Sequence, residues 1–199
     1  MRAIIAILRG VSPQEAVEIT GAIIEGGITR IEVPLNSPDP LKSIAAMVAT
    51  FPNAQIGAGT VLTSKETEAV AGTGAGFIVS PNTDVDVIAR TKALGLGSYP
   101  GVFTPSECFA ALKAGADALK VFPASMMGPD GLKAIRAVLP PETQVYAVGG
   151  AGPENFKDWA AAGASGYGIG SALYKPGMTA EDVGKRARNI VEAYDTAHG

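Results

Sequence analysis

Histidine and cysteine are almost missing from this sequence of 199 residues, which contains one of each, His198 and Cys108. A single cysteine excludes an intramolecular disulfide, and with one histidine it nearly excludes a zinc site built from several such ligands. A magnesium or manganese site made of carboxylates stays open at this level. Without a disulfide or a secretory signal, the cytoplasm is the expected location.

Long apolar runs and excess charge of one sign are also missing. The apolar run Ala3–Leu8 is too short to span a membrane or to form the core of a signal peptide. The formal net charge is −3, with 16 basic and 19 acidic side chains, and no cluster of lysine or arginine occurs. The sequence therefore predicts no nucleic-acid partner and no membrane partner.

Eight short apolar runs alternate with longer segments of helical periodicity. The runs are 3–8, 30–35, 55–58, 77–80, 97–99, 118–122, 144–148 and 166–169. Eight strand–helix units in a row are typical of an α/β protein with a single (β/α)8 TIM barrel. The alternative, an open doubly wound sheet, normally has a G-x-G-x-x-G turn after its first strand, which is not found here. We therefore predict one barrel domain over residues 1–199.

Helix starts are marked by serine or threonine followed by proline or glutamate, a pattern that predicts N-caps and capping boxes. The four predicted starts are Ser12-Pro13-Gln14-Glu15, Ser37-Pro38, Thr63-Ser64-Lys65-Glu66 and Thr104-Pro105-Ser106-Glu107. Several other residues are interpreted as structural. They are Cys108 and Trp159 in packing, Met126 and Met127 as core filler with a pocket mouth as the alternative, Lys133 and Arg136 as solvated helix charges, and His198 in a frayed tail.

Lys120 is the first candidate for chemistry, because it interrupts an otherwise apolar strand. Side chains alternate along a strand, so Leu119 and Val121 would face the helices and Lys120 would point into the barrel. Burial lowers the pKa of an amine, and a neutral amine can attack a ketone. The alternative is a lysine whose ammonium reaches solvent at the strand end.

Glu32 is the second candidate, flanked by Ile31 and Val33 on a predicted strand. It would also point inward, where a buried carboxylate needs a partner. It could pair with Lys120 or Arg9 in a structural salt bridge, or it could shuttle protons. An amine together with a proton shuttle is what Schiff-base chemistry requires.

Glycines at the ends of the last two strands form a third candidate feature. The seventh strand leads into Gly149-Gly150, and the eighth leads into Gly170-Ser171. Barrels often bind phosphate with the loops after these two strands, through backbone amides that glycine leaves accessible. Tight-turn packing is the alternative explanation for such glycines.

Taken in order, these motifs resemble those of the 2-keto-3-deoxy-6-phosphogluconate/galactonate (KDPG/KDPGal) aldolase family over nearly the whole chain. The resemblance is carried by segments 5–10, 31–36, 57–62, 79–82, 100–101, 119–123, 148–150 and 168–171.

The resemblance implies a class I aldolase in which Lys120 forms the Schiff base and Glu32 transfers protons. It further implies a homotrimer that needs no metal and no other cofactor, with a phosphorylated keto sugar acid as its small-molecule partner. It assigns the pyruvate portion of the substrate to Arg9 and Thr60, and the phosphate to Gly149, Gly150, Gly170 and Ser171.

Two positions are similar to the galactonate-specific branch of that family. Asn36 stands where the gluconate branch typically has arginine, and Val148 stands where it has threonine. Because valine cannot hydrogen-bond a hydroxyl group, the resemblance favours 2-dehydro-3-deoxy-6-phosphogalactonate as substrate. The C4 epimer (KDPG), or both epimers, remain alternatives. Two other functions also remain open, a phosphosugar isomerase or epimerase and a non-catalytic phospho-ligand-binding protein.

Overall fold

The computed structural model describes residues 2–199, and Met1, the first residue of the predicted domain, lies outside the described part. Strands and helices alternate along the described chain. The strands are β1 (Ile4–Ile7), β2 (Arg30–Pro34), β3 (Gln55–Gly59), β4 (Phe77–Val79), β5 (Gly97–Tyr99), β6 (Gly101–Val102), β7 (Leu119–Val121), β8 (Val145–Val148) and β9 (Gly166–Ile169). The helices are α1 (Pro13–Glu25), α2 (Pro40–Thr50), α3 (Ser64–Ala71), α4 (Val85–Ala93), α5 (Pro105–Lys113), α6 (Ala124–Arg136), α7 (Phe156–Ala161) and α8 (Ala180–His198).

The strands form one parallel sheet in the order β5-β4-β3-β2-β1-β9-β8-β7-β6. Segment β5 matches the predicted fifth strand, and β6 continues the same strand position beyond Pro100, which has no N–H for a ladder bond. The carbonyl of Pro100 accepts a hydrogen bond from Lys120 N at 2.9 Å, and that of Ser98 accepts one from Asp117 N at 3.0 Å. These bonds join the two ends of the sheet, so the predicted (β/α)8 barrel is confirmed.

The strand side chains divide into two layers, as strand alternation predicts. Alternate residues such as Leu119 and Val121 pack outward against the helices. The inward-facing layer fills the barrel interior with Ile5, Ile7, Phe77, Val79, Ala118, Tyr146 and Val148. Lys120 and Glu32 belong to the inward-facing positions, so they lie within the ring rather than between the strands and the helices.

Three of the four predicted helix starts are confirmed. Thr63 and Thr104 form complete capping boxes, and the carboxylate of Glu15 accepts a hydrogen bond from Ser12 N at 3.0 Å. The prediction at Ser37-Pro38 was wrong, because α2 begins at Pro40 after the N-cap residue Asp39. A residue that precedes proline is kept out of the helical region. Asp39 precedes Pro40, so a helix that began at Pro38 would be interrupted at Asp39.

The side chain of Ser37 has another use in the structure. It is buried, and its Oγ accepts a hydrogen bond from Gly10 N at 2.9 Å. It therefore ties the loop after β2 to the loop after β1.

The predicted packing roles have mixed outcomes. Cys108 and Trp159 are buried, as expected. Met127 packs against the core, but the prediction for Met126 was wrong, since 76% of that residue is exposed. The reason is position, because Met126 lies in the first turn of α6 on the side away from the barrel wall.

Two further predictions were wrong because polar partners lie outside the local sequence. Arg136 is not a freely solvated charge, since it donates hydrogen bonds to the carbonyls of Thr143 at 2.7 Å and Pro141 at 3.2 Å. His198 ends α8 instead of fraying, with its ring stacked on Tyr194 and its Nε2 3.0 Å from the hydroxyl of Tyr167. Within residues 2–199, no helix combines the length and the apolar character needed to cross a bilayer.

Candidate active site

A cavity of about 500 Å³ opens at the carboxyl ends of β1, β2, β7, β8 and β9. In a parallel barrel the active site occupies this end of the strands. Eight of the ten predicted site residues line it, namely Arg9, Glu32, Lys120, Val148, Gly149, Gly150, Gly170 and Ser171. The remaining two, Asn36 and Thr60, reach the site through contacts with Arg9.

Lys120 is held inside the barrel by β7, with only 7% of the residue exposed. Desolvation lowers the pKa of its amine, the negative charge of Glu32 opposes this shift, and the positive charge of Arg9 adds to it. The nitrogen lies 4.7 Å from the ring centroid of Phe122, at the cavity wall. A nucleophilic amine is most effective when its neutral form is accessible at working pH, and this environment favours that form.

Glu32 lies on β2 and is 2% exposed. Burial raises the pKa of its carboxyl group to about 7, although the charges of Lys120 and Arg9 act in the opposite direction. Its Oε2 atom has no hydrogen-bond partner in the described part of the chain, and none of the ion pairs there includes Glu32. A carboxyl group with a pKa near neutrality and an uncommitted oxygen is suited to exchange protons with a ligand.

Gly59 provides the space that the Glu32 side chain occupies. The two residues lie on neighbouring strands, and a Cβ atom at position 59 would stand 1.7 Å from Glu32 Oε2. Any other residue would therefore displace the carboxylate. Sequence reasoning did not identify Gly59 as a site residue, because its importance depends on the register between β2 and β3.

Arg9 is fixed at the cavity by two polar side chains. Its Nη1 donates hydrogen bonds to Asn36 Oδ1 at 2.5 Å and to Thr60 Oγ1 at 3.5 Å. Thr60 has a φ of 57°, a left-handed conformation that is unusual for a β-branched residue and costs about 1–3 kcal/mol. The strained turn places the threonine hydroxyl beside the guanidinium, so Arg9, Asn36 and Thr60 form one hydrogen-bonded group.

The glycines after β8 and β9 line the opposite part of the cavity. Gly149 and Gly150 have φ values of 81° and 105°, which few residues other than glycine adopt. At position 150 a Cβ atom would also stand 2.6 Å from that of Ser125. Among residues 2–199, no acceptor is bonded to the backbone N–H groups of Gly149, Gly150 or Ser171. Unpaired amides beside a cavity form an anion-binding cradle.

Several cavity residues were not predicted from the sequence. They are Ile7, Phe122, Ala151, Glu154, Gly168, Ala172, Tyr174, Lys175 and Pro176. The loops after the seventh and eighth strand positions of a barrel commonly hold phosphate, so Glu154 and Lys175 had a positional signal. In the described part of the chain, no group of three or more histidine, cysteine or acidic side chains is arranged to hold a metal ion.

A closed parallel barrel whose mouth contains a desolvated lysine, a carboxyl group of raised pKa and unpaired backbone amides is typical of barrel enzymes of the aldolase class. Residues 1–188 match the family model described as "Aldolase: KDPG and KHG aldolase". The chain belongs to this family, and the resemblance found in the sequence motifs is confirmed.

Two curated relatives are similar over nearly their whole length. A Rhizobium meliloti protein named "Probable 2-dehydro-3-deoxy-6-phosphogalactonate aldolase" is 52% identical over 199 residues, which cover 100% of this chain and 94% of the relative. The "2-dehydro-3-deoxy-6-phosphogalactonate aldolase" of Escherichia coli is 46% identical over 195 residues, covering 98% and 95% of the two chains.

Solved structures agree with this grouping. A structure described as "Native KDPGal structure" superposes with a TM-score of 0.96 at 46% identity, over 98% of this chain and 95% of that one. The KDPG aldolase of Legionella pneumophila, described with pyruvate captured as a covalent carbinolamine intermediate, has a TM-score of 0.84 at 27% identity, over 98% and 94%.

Proposed function

We propose that this protein is a class I aldolase that cleaves 2-dehydro-3-deoxy-6-phosphogalactonate to pyruvate and D-glyceraldehyde 3-phosphate. The observation that carries the proposal is the desolvated amine of Lys120, which lines the same cavity as the carboxyl group of Glu32. The names of the two similar relatives support the galactonate epimer as substrate. The carbinolamine described for the Legionella enzyme supports covalent capture of a keto acid by an amine.

The proposed chemistry begins when the neutral amine of Lys120 attacks the C2 ketone of the substrate. The resulting carbinolamine loses water with the help of Glu32 and becomes an iminium ion. Glu32 as carboxylate then accepts the proton of the C4 hydroxyl while the C3–C4 bond breaks, and the electron pair moves into the enamine. Glyceraldehyde 3-phosphate leaves, Glu32 returns a proton to C3, and hydrolysis releases pyruvate and the amine of Lys120.

Substrate binding is divided between the two polar parts of the cavity. In this proposal Arg9, oriented by Asn36 and Thr60, binds the carboxylate of the pyruvate portion. Its hydrogen bond to Asn36 supports this role, because asparagine leaves the guanidinium charged and unneutralised. The backbone amides of the cradle, contributed by Gly149, Gly150, Gly170 and Ser171, bind the phosphate.

Val148 is proposed to determine the choice between the C4 epimers. Its side chain lies in the cavity wall and offers no hydrogen bond to a substrate hydroxyl. We expect the wild-type enzyme to cleave the galactonate epimer with higher kcat/KM than the gluconate epimer. The Val148→Thr substitution should shift the ratio of the two kcat/KM values toward the gluconate epimer by about 10-fold, the effect of one hydrogen bond.

The control for this experiment is Val148→Ala, which changes bulk without adding a hydroxyl group. Preference of the wild type for the gluconate epimer would contradict the proposed substrate. A ratio that moves equally in the threonine and alanine variants would assign the effect to bulk, and an unchanged ratio would remove Val148 from epimer selection.

The proposed enzyme acts as a homotrimer of single-domain chains in the cytoplasm, in galactonate catabolism. Exposed apolar side chains support association between copies, and they follow consecutive strands of the ring. These are Leu62 after β3, Val85 after β4, Phe103 and Phe109 after β6, and Met126 after β7.

Light scattering should give three times the mass of one chain, and Phe103→Glu should lower that mass. A monomer at all concentrations would contradict the trimer.

A further inference from the structure

Lys175 is a cationic residue that lines the cavity but has no role in the chemical steps proposed above. It lies in the loop after β9, four positions beyond Ser171, and it lines the same cavity as the glycine cradle. The residue is exposed, and within residues 2–199 its ammonium group has no hydrogen bond and no ion pair, as is also true of the exposed residues Lys65 and Lys133 outside the cavity. Unlike the other lysines without a partner on the surface, Lys175 lines the cavity, so its ammonium group is available to a ligand there.

The charges of the proposed substrate indicate what this lysine would bind. The substrate carries a carboxylate and a phosphate, and the cationic side chains that line the cavity are Arg9, Lys120 and Lys175. Lys120 must be neutral to react, and Arg9 is assigned to the carboxylate. The cradle amides donate hydrogen bonds but carry only partial charges. Lys175 is the remaining full positive charge that can balance the phosphate.

An acidic residue in the same cavity makes this charge more important. Glu154 lies four positions beyond Gly150 and also lines the cavity. Glu154 is exposed, and a carboxylate beside a phosphate site weakens binding of the dianion, because like charges repel. The cradle thus has one acidic and one basic neighbour, one on each of the two loops that form it.

The loop around Lys175 is anchored on both sides. Tyr174 is buried, and its hydroxyl donates a hydrogen bond to Glu15 Oε1 at 3.2 Å. Pro176 packs so closely on the loop after β1 that a Cβ atom at Gly10 would stand 2.8 Å from its Cγ. Because its neighbours are fixed, the backbone of Lys175 is held beside the cavity, and only the side chain has to adjust to a ligand.

We propose that Lys175 is a phosphate-binding residue of this site, and that Glu154 opposes it and limits the affinity for the phosphate. This inference rests on the proposed function, since it concerns recognition of the phosphorylated end of the substrate. It assigns substrate discrimination between phosphorylated and unphosphorylated keto sugar acids to a pair of side chains of opposite sign.

Kinetics with two substrates test the proposal. Lys175→Met should raise KM for the phosphorylated substrate by about 10- to 100-fold, the effect of losing a hydrogen bond to a charged group. The KM for the unphosphorylated analogue, 2-dehydro-3-deoxygalactonate, should stay unchanged, and kcat should change less than KM. Lys175→Arg should keep most of the affinity. Glu154→Gln should lower KM for the phosphorylated substrate alone.

The matched control is Lys65→Met, which removes an exposed lysine of α3 that does not line the cavity. Equal increases of KM for both substrates in Lys175→Met would overturn the proposal and assign the lysine to the carboxylate or to loop structure. Unchanged KM values would also overturn it, and a KM raised by Glu154→Gln would overturn the opposing role of that residue.

A binding measurement separates this inference from the proposed function. Calorimetric titration of the wild type with inorganic phosphate should give a dissociation constant that rises about 10-fold or more in Lys175→Met. An enzyme that cleaves neither epimer but shows this weakening would end the proposed function and leave the phosphate role of Lys175 standing. Phosphate binding that is equal in both proteins would overturn the inference, whatever the activity.

Discussion

Replacing Lys120 by methionine is expected to abolish cleavage of the keto sugar acid. Methionine has similar length and fits the apolar surroundings, so the barrel should stay folded, but it cannot form an iminium ion. The loss should appear in kcat, with the circular dichroism spectrum and the melting temperature close to those of the wild type. Turnover within 10-fold of wild type, about 1.4 kcal/mol of activation free energy, would contradict covalent catalysis by this residue.

Trapping provides the direct test of the same role. Borohydride added with pyruvate should convert the imine to N6-(1-carboxyethyl)lysine, and peptide mass spectrometry should place this modification on Lys120 alone. Exposed Lys133 serves as the control, because its replacement by methionine should leave the trapping unchanged. Modification of another lysine would overturn the assignment. The absence of any adduct would favour the isomerase or the ligand-binding alternative, which need no imine.

Replacing Glu32 by glutamine is expected to cause the second largest loss. An amide keeps the shape of the side chain but cannot accept the C4 hydroxyl proton or protonate the enamine. We expect exchange of the methyl protons of pyruvate with deuterated water to slow by about 10²- to 10⁴-fold, the usual contribution of a general acid–base group. Imine trapping with borohydride should continue, although more slowly, because Lys120 remains present.

The pH dependence of exchange distinguishes a proton-transfer role from a structural one. The pKa of Glu32 is raised to about 7, so the carboxylate form increases as the pH rises through this value. Exchange by the wild type should therefore rise with an inflection near pH 7. The glutamine variant should lose this inflection. The negative charge of Glu32 raises the pKa of Lys120, so the substitution should also lower the pKa of that amine further.

Exposed Glu25 on α1 offers a matched control, because Glu25→Gln should keep both the rate and the inflection. If Glu32→Gln exchanged protons at the wild-type rate, Glu32 would not be the shuttle. If the variant were slow but kept the inflection near pH 7, another group would be responsible for that ionisation.

The central features of the site were predictable because strand alternation is a local rule. The apolar neighbours of Lys120 and Glu32 face the helices, so alternation predicts that these two side chains point into the barrel. The order of strands in a barrel predicts that the glycines after β8 and β9 lie beside each other. The eight-stranded ring was predictable for the same reason. The continuation of the fifth strand position as β6 was missed, because the missing N–H of Pro100 is typical of a strand end.

Other features depend on contacts between distant segments, and these carry no local signal. The space at Gly59 exists only because β2 and β3 pair in one particular register. The start of α2 was misplaced because the hydroxyl of Ser37 bonds to the loop after β1 instead of capping a helix. The hydrogen bond between His198 and Tyr167 likewise joins elements that the sequence separates.

The pairing of β1 with β9 places Ile4 beside Tyr167 in the ladder. During synthesis the strands can pair in chain order, so β1 can pair with β2 early. Its pairing with β9 cannot form until β9 has left the ribosome. Loop closure over such a distance is slow, because its entropy must be lost before the new contacts form. The apolar interior that lowers the basicity of Lys120 is therefore completed only when β9 has paired with β1, so the proposed covalent reactivity toward keto acids should be acquired only after that step.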